Sequence, residues 1–270
     1  MKTEIKIQEH RNNLGEVLLR TERFFENGIH VQTKTYEKDY LTGKLYLSKN
    51  KTYTQTDSGE IVPKTTIYYD ESGRPIEEKE YKVEGDTVFG ATTKKIYDRQ
   101  GQLESETVTR YRSKDWKKWI PLSGSKTNYD KSGEWISETC FKYIGFGDNR
   151  EQIKTRENIR KRNNQGKLYL HKEKTFAWSE DRGLMPKETK YYNEDEKIVT
   201  SKKYNLEKTH LIDEPLMVCH LEKYDYDTNN QQKKIKDEKY VGVGGMWERY
   251  IERPQTQKPF IRQDFITKAR

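Results

Sequence analysis

Large and small side chains alternate along this chain in short runs, and each run stops at Asp or Asn followed by Gly. In Thr65-Thr66-Ile67-Tyr68-Tyr69, Ile67 and Tyr69 fall on one face, with Thr66 and Tyr68 on the other, because successive strand side chains point to opposite sides. In the alternate positions Leu103, Ser105, Thr107, Thr109 and Tyr111, one face is mostly hydroxylic. Both faces are therefore amphiphilic. The pattern predicts strands joined by tight turns, since Asp or Asn bonds the backbone two residues on and Gly supplies positive φ.

The punctuation is periodic. NNLGEVLL (12–19), YLTGKLYL (40–47), YYDESGRPI (68–76), IYDRQGQLE (96–104), NYDKSGEWI (128–136), NNQGKLYL (163–170), YYNEDEKIV (191–199) and YDYDTNNQQ (224–232) align as one degenerate motif. Glycines fall at 15, 43, 73, 101, 133 and 166, so successive spacings are 28, 30, 28, 32 and 33. The last two units lack the glycine. Asn230 can take its left-handed conformation, whereas the turn at Glu194–Lys197 has no obvious residue for it. A second set of turns lies between these: Asn27-Gly28, Asp57-Ser58-Gly59, Gly85-Asp86, Asp148-Asn149 and Asp181-Arg182-Gly183, with longer loops over 114–119 and 206–214. Pro63, Pro121, Pro186 and Pro215 precede the repeat tyrosines and suit a strand's first residue or its edge. The fold expected is all-β, an antiparallel meander of about eight hairpin units of about thirty residues, roughly sixteen strands in all. Such a sheet must twist, and three outcomes stay open: a coiled superhelix, stacked layers, or closure. Residues 1–252 form one repeat domain. Residues 253–270, with Pro254, Pro259, Phe260 and Phe265, read as an extended tail that packs on the last sheet or engages a partner.

Composition supports strands. Leu, Ile, Val and Phe make up 51 of 270 residues, about 19%, close to the level of disordered chains. Net charge is only +8, however, and there are 19 Tyr and 5 Trp, so a thin, Tyr-rich core is expected, with Lys and Glu stems covering what aliphatics do not. Alanine, the best helix former, occurs three times, against 25 Thr. Cys140 and Cys219 make no disulfide framework. Residues 1–20 lack a secretory h-region, and no stretch approaches a membrane span. The expected compartment is cytoplasmic unless export is signal-independent. The 52 basic and 44 acidic groups are well mixed, as on a solvated strand surface, although a pI near 9.1 permits nucleic acid or an acidic partner.

YYDESGR, IYDRQGQ and NYDKSGE resemble the YD repeat of Rhs-type bacterial shell proteins, which sets Tyr-Asp before a tight turn and Gly-Arg after it. They are also similar to MORN-like bacterial meanders. Rhs repeats are shorter and build a shell far larger than this chain could make, and no self-cleaving segment is evident. The resemblance therefore implies a bacterial β-repeat scaffold and not toxin encapsulation.

No catalytic constellation emerges. His10, His30, His171, His210 and His220 show no metal-ligand spacing, and Cys219-His220 point to opposite strand faces. Gly242-Val243-Gly244-Gly245 reads as a turn, with no helix after it to complete a phosphate site. No metal or cofactor is expected. Two clusters remain as binding candidates. The first is basic: Arg150, Lys154, Arg156, Arg160, Lys161 and Arg162 against Glu151 and Glu157. Lys154, Arg156, Arg160 and Arg162 are expected to line one strand face, either meeting phosphates or an acidic protein or blunting a sheet edge with charge. The second is Trp116 and Trp119 around Lys117-Lys118, a contact surface or a cover for the thin core. The leading expectation is a non-enzymatic interaction or scaffold protein, immunity-like or toxin-associated, that binds another protein through an extended repeat surface. The alternative is a nucleic-acid-binding protein using the basic strand and exposed aromatics.

Overall fold

The structure is a computed structural model that describes residues 2–85, 87–114, 116–145, 150–179, 183–204, 218–227, 229–243 and 246–250. Asp148-Asn149, Asp181-Arg182, Pro215, the 206–214 loop and the 253–270 tail lie outside the described residues. The first strands are β1 (Thr3–Arg11), β2 (Val17–Glu26), β3 (Ile29–Lys38), β4 (Leu45–Gln55), β5 (Ile61–Tyr69) and β6 (Pro75–Glu84). The middle of the sheet holds β7 (Thr87–Tyr97), β8 (Leu103–Ser113), β9 (Ile120–Tyr129), β10 (Trp135–Ile144), β11 (Glu151–Arg162) and β12 (Leu168–Ser179). The rest is β13 (Gly183–Tyr192), β14 (Ile198–Tyr204), β15 (Val218–Tyr226), β16 (Gln232–Val243) and β17 (Met246–Tyr250). Each strand pairs antiparallel with its chain neighbours, from β1–β2 to β16–β17. The result is one 17-stranded meander. Among the described residues no register joins β1 to β17, and each strand packs on its chain neighbours alone to any extent. The sheet is an open single layer, neither stacked nor closed.

The eight repeat turns lie along one end of the sheet, because each joins an odd strand to the following even one. Seven share one geometry. The first residue and the fifth pair through the backbone, as Asp98 N donates to Gln102 O (2.9 Å), and the fourth takes positive φ. The Asx side chain also accepts two amides: Asp98 Oδ1 receives Gln100 N and Gln102 N at 2.9 Å each. Asn12, Asp70, Asp130, Asn163, Asn193 and Asp227 do the same. The Asp39 turn is one residue longer. Where glycine is missing, Asn230 (φ 67) and Glu196 (φ 58) take the left-handed place. Glu196 tolerates it because its Oε1 accepts the Leu170 amide of β12 at 2.9 Å and faces Arg160 Nη2 at 3.4 Å. On the opposite end, Asn27 (φ 49) and Gly28 (φ 83) close a two-residue hairpin.

A second periodicity is invisible in the sequence. Every strand pair except β6–β7 and β16–β17 carries one register shift, leaving a single extra residue in its second strand. Such bulges raise local twist. An aromatic ring stands opposite most of them: Tyr53 faces Pro63, Tyr69 faces Pro75, Tyr111 faces Pro121 and Phe176 faces Pro186. Pro63, Pro121 and Pro186 thus sit in interior strands, directly before the extra residues Lys64, Leu122 and Lys187. Edge placement is corrected accordingly: a bulge removes the ladder hydrogen bond that proline could not make.

The core is thin. Among the described residues the buried apolar side chains are Val62, Val88, Phe141, Ile153, Leu168 and Met185, and hydroxyl residues such as Thr66, Ser105, Thr109, Ser113 and Thr189 are equally buried. Small side chains are covered by the long stems and rings beside them, without a second layer. The covering is aromatic and cationic, as in Lys49 and Lys79 over Tyr68 (5.2 Å each) and Lys172 and Lys202 over Tyr191 (5.9 and 5.6 Å). β1 is exposed along its whole length and forms one edge of the sheet.

Candidate interaction surface

β11 is an interior strand, paired with β10 and β12. It is not an edge, so its charge has no edge to protect. The expectation of one four-residue basic face is also corrected. Cys140 faces Arg156 while Phe141 faces Lys154, so Thr155 is an extra residue and the side-chain alternation reverses there. Lys154 falls on the far face, 3.0 Å from Glu157 and over the Phe176 ring at 5.3 Å. Arg156, Arg160 and Arg162 share the other face, and each meets a carboxylate. Arg156 Nη2 lies 3.3 Å from Glu138 Oε2. Arg160 lies 3.4 Å from Glu196 and stacks on Trp135, 4.2 Å from the ring centroid. Arg162 bridges to the preceding repeat turn, bonding Asp130, Ser132 and Glu134. With Ser132 and Arg162 donating to it, the Asp130 carboxyl is held well below the usual range. Arg150 precedes the strand, and its Nη1 donates to Pro121 O at 3.2 Å.

Trp116 and Trp119 fold onto the sheet. Trp116 (φ 63) turns the loop so that both indoles meet Tyr81, at 5.6 Å each, and each other at 5.9 Å. Gly90 of β7 makes room: a Cβ there would lie 2.9 Å from Trp119 Cζ3. The aromatic pair covers β6 and β7, and burial pushes the Tyr81 hydroxyl pKa up. The two candidate clusters are separate: no contact among the described residues joins the Trp pair to the β11 arginines.

One further cluster escaped the sequence. His220 and Glu222 of β15 and Asp237 of β16 bring their ligand atoms within 4.8 Å of one another. Glu222 and Asp237 are cross-strand partners, a relation set by a register shift at Ile235. His220 Nε2 lies 2.7 Å from Asp237 Oδ1. The ammonium of Lys234 sits on both acids, 2.7 Å from Glu222 and 3.0 Å from Asp237; its hydrogen bond lowers the Glu222 carboxyl pKa, and hydrogen bonds from His220 and then Lys234 lower that of Asp237. The chain's own cation thus balances this pair.

No family model matches the chain, and no curated protein matches it. Among solved structures it is similar to a chain in the crystal structure of TcdB2-TccC3-Cdc42, at 10% identity and TM-score 0.20, covering 92% of this chain and 18% of that one. It is also similar to a chain of the Photorhabdus luminescens Tc holotoxin pore with mutated TccC3, at 11% identity and TM-score 0.24, covering 88% and 13%. This chain therefore spans less than a fifth of those neighbours. Among the described residues no helix is long and apolar enough to cross a membrane.

Proposed function

We propose that this chain is a non-enzymatic scaffold that binds another protein across its open sheet. The observation behind this reading is the single layer: among the described residues neither face is covered by other strands, and half-exposed rings and paired charges cover them instead. Surfaces of this type offer amphipathic anchors with little conformational freedom to lose on binding. A toxin-associated or immunity-like setting is the finer form of the proposal. The β11 arginines face carboxylates, so phosphate contact would have to displace ion pairs already made.

The test uses the tagged full chain as bait in a bacterial lysate, with and without nuclease. The proposal expects a protein retained after nuclease treatment that slows hydrogen exchange at sheet residues. Recovery of nucleic acid alone, lost steeply as salt rises, would replace it with the nucleic-acid reading. In that case Arg156→Glu with Arg160→Glu would abolish binding.

A further inference from the structure

Among the described residues β7 is the only interior strand without an extra residue, and it carries Gly90-Ala91 where its neighbours carry long side chains. Gly90 is filled from one face by Trp119. On the opposite face Ala91 stands between its cross-strand partners Glu80 and Arg110, and the short methyl between two long side chains leaves a notch. That notch opens into a mostly apolar groove of about 470 Å³, within the usual range of small-ligand sites. Phe89, 38% exposed, lies two residues from Ala91 on the same face and forms part of the wall. The extra residues Lys64 of β5 and Leu122 of β9, two strands away on either side, also line it. Bulges often re-aim side chains in this way beside binding sites. The smooth β7 with its short Gly90-Ala91 step, and bulges in β5 and β9 that bring a cation and a leucine to the groove, depart from the repeat at one place.

The charges decide the ligand class. Lys64, Lys82 and Arg110 line the groove against the single acid Glu80. Lys82 is held by Glu84, whereas Lys64 and Arg110 make no ion pair among the described residues. We propose that this groove binds an aromatic ring joined to a carboxylate, the ring over Ala91 and Phe89 and the carboxylate on Arg110 and Lys64. The carboxylate belongs either to a free aromatic acid or to the C-terminal residue of a peptide ending in phenylalanine.

The probes are 2-naphthoate, its uncharged analogue 2-naphthylmethanol, and a short peptide ending in Phe as free acid or as amide, titrated into the full chain by NMR. Saturable binding of the free acids is expected, roughly tenfold weaker for the uncharged forms and for Arg110→Gln, the equivalent of one charge-assisted hydrogen bond. Ala91→Leu, which fills the notch, abolishes binding. Naphthoate binding alone assigns a free acid, and peptide binding alone assigns a chain terminus; both support the site. Thermal melting checks the variants, and if Ala91→Leu fails to fold, Arg110→Gln decides. No binding of either acid, or binding unchanged in Arg110→Gln, overturns the proposal.

Discussion

At the scale of single residues, the fold rests on side chains that complete the backbone. The turn Asx is one. Asp98→Ala strips the acceptor from two amides and should cost about 1 kcal/mol, measured by urea unfolding. Asp98→Asn should be near neutral, since Asn already fills the same place at 12, 163 and 193. Among the turn acids, Asp39, Asp70 and Asp130 have pKa values below the ordinary carboxylate range. Asp39 is held by Thr42; Asp130 is held first by Ser132 and then by Arg162; Asp70 is lowered by Arg74 against the opposing effect of burial. A folded-state pKa below the unfolded value, near 3.9, stabilises the fold above that value and is lost as pH falls through the folded pKa. The melting temperature should therefore fall below about pH 4, and the triple Asn variant at 39, 70 and 130 should flatten that acid limb. Gly124 is the tightest position: a Cβ would lie 2.1 Å from Val108 O and 2.7 Å from the Phe141 ring. Gly124→Ala should destabilise by about 3 kcal/mol. At Gly90, where the obstacle is the movable Trp119 ring, an Ala should chiefly shift tryptophan fluorescence.

At the scale of the strand, the turns were legible because Asp, Asn and Gly act within five residues of one another. The bulges were not, because an extra residue exists only relative to the partner strand. Four prolines mark them, and their meaning appears once Tyr53, Tyr69, Tyr111 and Phe176 are seen opposite. The same blindness split the basic cluster: strict alternation placed Lys154 beside Arg156, and the extra Thr155 moved it across the sheet. The His220–Glu222–Asp237 group was hidden for the same reason. Deleting Thr155 tests the role of the bulge. Lys154 and Arg156 become consecutive, keep opposite faces and stay across from Phe141 and Cys140, so the pairing survives and only the added local twist is lost. The expected loss is about 1 kcal/mol, read by urea unfolding. A loss above about 3 kcal/mol would mean that the twist added there holds the neighbouring strands in place.

At the scale of the whole molecule, the described strands form one uncovered layer. Composition hinted at it, since Leu, Ile, Val and Phe at about 19% of the chain could not fill the space between two sheets, but the choice between coiling, stacking and closure depends on accumulated twist that no single residue encodes. The most direct test is small-angle scattering of the purified monomer. A compact chain of 270 residues would have a radius of gyration of about 18–19 Å. Seventeen strands at about 4.8 Å spacing make a sheet roughly 75 Å across. The account predicts a radius of gyration above about 22 Å with an elongated distance distribution. A symmetric distribution near 19 Å would mean that the sheet folds on itself, and would contradict both the open layer and the binding surface inferred from it.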